Sequence, residues 1–517
     1  SAEAKKEQSA DASCQQIETV HLDGTTQMSR YTQAKLVNNY VKRCLTAQDI
    51  NELLTLVTNW YFDNGFISSR SYIQPQDLTT GDLHITVIEG KVEAYTSDRY
   101  TQRILDRAFV AKTTRNDNIL NLRDIEQGLD QINRLQSHQA KMELVPGKET
   151  GGSVVALSSK ASKPVSYRLN IDNTGQQTTG EEQLNLTTSF DNPLGLLDFA
   201  SLSLGRQAKN IGSDAFSRSV SLHYDMPFRY WNIDVDVSWY GYSLEVDSFN
   251  GSFVTSGVSR NQSMRISRLL VRDEKSKSGV RFSLARKDSI NFVEDVRVET
   301  SSRVLTSFAS ELWHERFLAR GVWNSSVTWS RGLSVLGGVS DRARTGPTDP
   351  KAEFSKFSIS SSVSHQYEKA LPFSGYNIRL AGQYSDDPLY SAEQISVGSQ
   401  HTVRGFKGVG QGGEKGAYLR QEFTIPMPSV ANSWKRLVGS SERKDIQVQG
   451  TLSLDGGIVR TPLAAAEKYS RFSSVSFGVQ ISNKLFNLSA EYAKGLSSPS
   501  GIGANDHDFY LQAGAKF

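Results

Sequence analysis

The chain has 517 residues, more than one hydrophobic core normally organises, so at least two domains are expected. Only 38% of the residues are hydrophobic, mean hydropathy is −0.43, and no apolar run reaches the roughly 18 residues of a membrane-spanning helix. A transmembrane β-barrel is not excluded, because its lipid-facing residues occupy every second position and leave average hydropathy low; the 40 Gly, 23 Phe, 19 Tyr and 7 Trp fit such a chain. With 58 Lys and Arg against 55 Asp and Glu, net charge is +3, too near balance for a nucleic-acid footprint, and no nucleic-acid partner is expected. The two cysteines, Cys14 and Cys44, suit either a reducing compartment or a single disulfide. Ser1 to Asp11 is polar, without the apolar core of a signal peptide, so the chain reads as mature or never targeted.

The first part of the chain reads as two copies of a small mixed unit. A strand is expected at Ile17 to Leu22, and helices at Gln33 to Leu45 and Asp49 to Asn64. The second helix carries Ile50, Leu53, Leu54, Val57 and Tyr61 at helical spacing and is closed by Asn64-Gly65. An extended segment over Phe66 to Ile73, a turn at Thr79-Thr80-Gly81 and an alternating strand from Leu83 to Ile88 complete the unit. The order then repeats: a strand at Lys91 to Tyr95, helices at Gln102 to Val110 and Leu122 to Leu135, and strands at Lys141 to Val145 and Ser153 to Leu157. Asn121 is placed to cap the second of these helices.

From about residue 166 to Phe517 alternation replaces helical periodicity. Trp231, Ile233, Val235, Val237 and Trp239 alternate with Asn232, Asp234, Asp236 and Ser238, so this strand faces two different solvents. Val280, Phe282 and Leu284 repeat the pattern, as do Tyr376, Ile378 and Leu380, then Val475, Phe477, Val479 and Ile481, then Phe486, Leu488, Ala490 and Tyr492, and finally Phe509, Leu511, Ala513, Ala515 and Phe517. A soluble β-sandwich also alternates. Here the pattern recurs without a domain break and with aromatics near strand ends, which favours a barrel. At about 22 residues per strand and connection, the stretch holds roughly 16 strands, enough to enclose a lumen that side chains cannot fill.

Catalytic constellations are missing from the sequence. The eight histidines show no metal-ligand spacing and there is no nucleophile elbow, so neither an enzyme, a metal nor a cofactor is expected. Gly408-Val409-Gly410-Gln411-Gly412-Gly413 satisfies a Gly-x-Gly-x-x-Gly pattern literally, but it follows no βαβ strand and reads as a flexible loop. Two segments stand out. Val403-Arg404-Gly405-Phe406 lies in the long stretch between the strands near Tyr384 and Phe423. Asp455-Gly456-Gly457 ends a strand in which Ile446, Val448, Gly450, Leu452 and Leu454 form the apolar phase, so Asp455 faces the lumen. A carboxylate is tolerated there because the interior is wet, and it can hold an inward-folded loop through a guanidinium fork. Without such a loop, Asp455 is an ordinary solvated carboxylate and the Arg-Gly pair an ordinary turn.

These segments, with those of the first 165 residues, resemble the TpsB outer-membrane transporters of two-partner secretion, in the Omp85 superfamily, whose members include haemolysin, haemagglutinin and contact-dependent inhibition transporters. The resemblance spans nearly the whole chain. Gly65-Phe66-Ile67-Ser68-Ser69-Arg70, Pro75-Gln76-Asp77-Leu78, Gly81-Asp82-Leu83 and Glu89-Gly90 follow the family's first POTRA pattern, with Cys14 and Cys44 bracketing the unit's first helix. Leu120 to Glu126 and Pro146-Gly147 follow the second, Asp172-Asn173-Thr174-Gly175 resembles the barrel entry, and Val403-Arg404-Gly405-Phe406 the signature of the pore loop.

The resemblance implies an N-terminal polar segment (1–13), POTRA 1 (14–90) and POTRA 2 (91–165), α+β units in the periplasm. A 16-stranded antiparallel barrel (166–517) follows, with an inward loop around 398–416. It implies Arg404, flanked by Val403, Gly405 and Phe406, pairing with Asp455, with Gly457 completing the wall motif; Ser453 stands where the family often has an aromatic residue or glycine. It implies a Cys14–Cys44 disulfide, closing a loop of about 31 residues worth roughly 3 to 4 kcal/mol in the chain-entropy model. The expected partners are a secreted TpsA-type exoprotein and outer-membrane lipid, the expected state is a monomer, and export needs no nucleotide. A contact-dependent inhibition toxin is the nearest client, ahead of a haemolysin or adhesin. The rival functions are an Omp85 insertase, which more often carries additional POTRA units, and a passive porin, which needs none. Members often carry an N-terminal plug helix and linker, for which the residues before Cys14 are too few.

Overall fold

The structure is a computed structural model describing residues 14–109, 118–175, 180–208, 216–248, 251–341, 346, 348–367, 373–428, 430, 446–460, 469–499 and 507–517. The expectations for residues 1–13 and for Val110 lie outside them. Two compact units, Ser1–Ser162 and Lys163–Phe517, divide the chain. Among the described residues no helix is long and apolar enough to cross a membrane.

In the first unit Asp82–Ile88 is the centre of a three-stranded sheet, parallel to Thr19–Asp23 and antiparallel to Arg70–Ile73. Helix Ala47–Asp63 packs on it through Ile50, Leu53, Val57 and Tyr61, all buried. Its start lies two residues before the expected one, because Thr46 and Asp49 form a reciprocal capping box that satisfies first-turn N–H groups. The expected helix from Gln33 to Leu45 is corrected: Arg30–Val37 is helical, while Arg43–Leu45 is a strand paired with Gln15–Ile17. That pairing sets Cys14 beside Cys44, Cα atoms 5.3 Å apart, in a disulfide. Only Arg70–Ile73 of the expected extended segment joins the sheet.

Glu89 is buried at the end of this domain. Its carboxylate accepts hydrogen bonds from the Thr26 and Gln27 amides at 2.8 and 2.9 Å, from the Tyr61 hydroxyl at 2.7 Å and from Thr26 Oγ1. Burial, then this carboxylate, holds the Tyr61 hydroxyl well above the usual phenol range. The second copy has Gly152–Ala161 as its central strand, parallel to Lys91–Ser97 and antiparallel to His138–Pro146. Helix Leu122–Asn133 is capped by Asn121 Oδ1, which accepts the Arg123 amide at 2.8 Å. Gly128 in that helix lies against the Phe109 ring, which a Cβ would meet at 2.2 Å.

From Val165–Asp172 to His507–Lys516 the second unit is a closed antiparallel barrel of sixteen strands, each pairing with its neighbours in chain order. The two-residue Val296–Arg297 is a loop segment folded back on Phe292 and Val293. Strands run from 8 to 22 residues. Closure joins Gln512–Lys516 to Asp172–Arg168, and the Asn173 side chain extends it by bonding Phe509 O at 2.7 Å and Leu511 N at 2.8 Å. The outward phase is apolar and uncovered: Leu222, Phe282, Leu312, Val327, Ile359, Phe477 and Leu511 are all exposed, an arrangement suited only to an apolar solvent. The inward phase is polar and ion-paired, as in Arg265–Asp236 and Arg281–Glu311, each 2.7 Å.

If the disulfide constrains the unfolded chain as its loop length implies, Cys14→Ser/Cys44→Ser should lower the unfolding free energy of the N-terminal unit by about 3 kcal/mol in urea titrations. Alkylation of denatured, unreduced protein should label neither thiol; labelling of both would show the bridge absent.

Candidate functional site

The connection between strands Gly375–Tyr384 and Gly416–Pro426, residues 385–415, folds into the barrel. The Gly-rich run within it is not the flexible loop expected. Ile395–Val397 pairs antiparallel with Gln411–Gly413, closing a hairpin whose tip carries residues 398–410. The glycines are there for close approach: a Cβ on Gly413 would meet Arg460 O at 1.9 Å and one on Gly410 would meet Gly398 O at 2.3 Å.

At the tip the structure brings Arg404 and Asp455 together. Arg404 Nε donates to Asp455 Oδ2 at 2.7 Å and Nη2 to Oδ1 at 2.9 Å, a bidentate fork. The remaining nitrogen, Nη1, donates to Glu491 at 2.7 Å and Glu422 at 3.1 Å. Arg404 is 1% exposed and Asp455 5%, so both charges are withdrawn from bulk water and depend on one another. Glu422 and Glu491 were not singled out from sequence, although each sits in the polar phase of an alternating strand. Ser453, opposite Glu422 and Ser476 in register, is completely buried among these groups. Arg420 lies directly across the ladder from Asp455 and from Arg379, and beside them a lumen cleft of ≈ 320 Å³ is lined by Arg379, Arg404, Arg420 and Glu422.

The residues around Arg404 fix its approach. Val403 and Phe406 are buried with Val397, Val459 and Phe472, and the Phe406 ring meets Phe472 edge-on with centroids 5.1 Å apart. Gly405 has φ +81°, and a Cβ there would lie 2.9 Å from Gly495 N, so both conformation and space demand glycine. Its amide donates to the Tyr510 hydroxyl at 3.3 Å, and the Lys407 amide donates to Asp508 at 2.8 Å. Gly457 clears room on the wall: a Cβ would meet Val397 at 2.5 Å and Val403 at 3.0 Å.

Among the described residues one group of metal-ligating types converges, His223, Asp225 and Asp234, with ligand atoms within 4.8 Å of one another. His223 Nδ1 already faces Asp236 at 2.8 Å and Nε2 faces Asp225 at 3.3 Å, so both ring nitrogens are engaged by the wall's own carboxylates.

Geometry of this kind, a polar lumen holding an ion-locked loop in a barrel that follows two α+β units in the chain, has a counterpart among known proteins. Residues 151–481 match the family described as haemolysin secretion/activation protein ShlB/FhaC/HecB. The chain belongs to this family. Residues 16–90 match its ShlB-type POTRA domain and 91–146 a POTRA domain. The outer membrane transporter CdiB of Dickeya dadantii is 32% identical over 426 residues, 81% of this chain and 74% of that protein. The hemolysin transporter protein ShlB of Serratia marcescens is 29% identical, over 80% of this chain and 72% of that one. The solved structure of CdiB from Escherichia coli superposes with a TM-score of 0.89 at 28% identity, covering all of this chain and 93% of the other. This member of the ShlB/FhaC/HecB family is therefore an outer-membrane transporter of two-partner secretion, with its POTRA domains in the periplasm and a secreted protein as its client.

Gly457→Ala separates packing from charge in this site, since it adds only a methyl group where Val397 and Val403 press on the wall. It should weaken loop docking by about 1 to 3 kcal/mol without altering any ion pair. In planar bilayers this is expected to appear as more frequent large-conductance openings, with the barrel still folded on unheated gels.

Proposed function

We propose that the protein exports a contact-dependent inhibition toxin by capturing the unfolded client on its POTRA sheets and passing it through the barrel lumen as the Arg404 loop withdraws, acting as a monomer, without nucleotide and without a catalytic step. The observation that carries this reading is the loop itself: a hairpin inside a wet lumen, held by one guanidinium among three carboxylates. A permanent plug is held by apolar packing alone as well as by ions. An ion lock has the further property that water entering the lumen can solvate every charge the moving loop uncovers, which lowers the cost of opening. A buried pair broken without compensation costs about 3 to 5 kcal/mol, an upper bound once water enters, so the pore would be open no more rarely than about one part in a few thousand.

Capture has its own support. Among the described residues each POTRA sheet ends in a strand with no further strand beside it, Arg70–Ile73 in the first and His138–Pro146 in the second; the Ser71 amide is held by Thr58 Oγ1 and both backbone groups of Ala140 by the Asn133 side chain, while Tyr72, Ile73 and Val145 on these edges are exposed. An extended client adding itself as a strand gains backbone hydrogen bonds without a fixed sequence. The client folds outside, and its folding free energy biases the movement outward. The assignment to contact-dependent inhibition rests on the 32% identity to the Dickeya dadantii transporter, and Val403, Gly405, Phe406 and Gly457 serve as the packing that lets Arg404 and Asp455 meet.

Arg404→Ala should leave the barrel assembled in the outer membrane yet reduce secretion of the co-encoded client at least about tenfold, read by immunoblot of culture supernatant. Exchanging the charges at Arg404 and Asp455 tests direct pairing: the double exchange should secrete better than either single change, and equal failure of all three would count against the pair. Proteoliposomes containing the purified protein should take up an unfolded client without ATP; an absolute nucleotide requirement there would overturn the energetic account.

A further inference from the structure

The lumen contains a second ion cluster on the same loop, with its charges reversed. Glu393 ends the short turn Ser391–Glu393 and is 4% exposed. Its carboxylate accepts Lys287 Nζ at 2.7 Å and Lys356 Nζ at 2.8 Å. Its backbone oxygen accepts Lys356 Nζ at 2.8 Å and Gln383 Nε2 at 3.0 Å, and Lys287 Nζ also donates to Ala392 O at 2.8 Å. Immediately before the turn, Tyr390 lies under the Arg303 guanidinium, 4.3 Å from the ring centre. A buried carboxylate with two ammonium partners from two different strands is a constructed site, since either lysine alone would neutralise it.

The two clusters hold the loop on separate parts of the wall. Lys287, Lys356 and Gln383 stand on the seventh, tenth and eleventh barrel strands, whereas Glu422, Asp455 and Glu491 stand on the twelfth, thirteenth and fifteenth. Lys287 and Glu491 are eight strands apart in a cylinder of sixteen, so the loop's anchors are distributed over half of the wall. At the tip the loop supplies the cation and the wall the carboxylates; at the base the loop supplies the carboxylate and the wall the cations. Opposite polarity excludes a reversed docking, because either end placed on the other's site would meet like charge in a poorly solvated place.

We propose that Glu393, gripped by Lys287 and Lys356, is a second positioning residue of the pore loop, a fixed foot about which the Arg404 end swings when the lumen opens. This rests on the reading of the loop as the lumen's movable obstruction. With the foot in place, release of Arg404 frees the tip alone; with the foot lost, the loop is held at one point and its orientation is no longer set.

The test uses the full-length protein in planar bilayers with no client present. Glu393→Gln should raise the fraction of time in large-conductance states about tenfold or more, Lys287→Met/Lys356→Met should do the same, and Glu393→Asp should restore most of the closed behaviour. Unheated gel mobility identifies folded barrels, and a thiol introduced by His401→Cys, at an exposed site of the loop tip, should become more reactive in Glu393→Gln. Conductance and thiol reactivity unchanged in both folded variants would overturn the proposal, as would an Asp variant no better than Gln. Because these recordings need no client, their failure is distinct from that of the export reading, which falls if Glu393→Gln opens the pore but secretion is unaffected by Arg404→Ala.

Discussion

Everything in the second unit follows from the requirement that no backbone N–H or C=O be left unpaired in hydrocarbon. A sheet meets that condition only by closing on itself, and closure at sixteen strands leaves an interior too wide for side chains to fill. The interior is therefore water, and the wall facing it can carry charge. Asp236, Arg265, Arg281 and Glu311 already exploit this along the ladder. Asp455, Glu422 and Glu491 exploit it differently, because their partner is not on a neighbouring strand but on a loop, which under the proposed function can leave.

Ionic anchorage and close packing are interdependent at the loop tip. The fork from Arg404 to Asp455 needs the backbone at Gly405 to pass within reach of Gly495, and the hairpin needs Gly457 to admit Val397 and Val403. A guanidinium on a longer leash would find water before it found a carboxylate. Glycine at three facing surfaces thus converts an ordinary surface ion pair, worth under about 1 kcal/mol, into a withdrawn one whose rupture is costly but whose charges, under the proposed function, are rehydrated as the loop departs.

Alternation made the barrel legible from sequence because each strand separates two solvents, and Phe282, Phe477 and Leu511 are as exposed as that reading requires. Asp455 was legible for the same reason: its strand phase points inward. Glu422 and Glu491 carried the same signal, but a charged residue in a lumen phase is common, and only the folded loop reveals which of them meet Arg404. Glu393 had no signal at all, since a turn has no phase and its lysines lie more than thirty residues away in either case. The helix drawn through Leu45 failed where a local pattern yields to tertiary pairing: Arg43–Leu45 is taken by the strand Gln15–Ile17, and propensity is a weak prior against such a partner. The glycine run misled in the opposite sense. Glycines read as freedom, yet here they permit a hairpin pressed against Arg460 and Gly398.

Selectivity in such a device has to come from coupling two weak discriminations. Backbone pairing at a POTRA edge accepts many sequences, and on its own would admit any extended chain. A loop held shut by several kcal/mol rejects chains that bind too briefly, because the binding free energy gained at the edge and in the lumen must offset the ion lock before the pore clears. Under the proposed function, a client is then recognised less by any one contact than by remaining bound long enough, and over enough strand length, to make release of Arg404 favourable. A weaker lock would leak and a stronger one would retain the client. Three carboxylates around one guanidinium allow the lock to be adjusted a charge at a time.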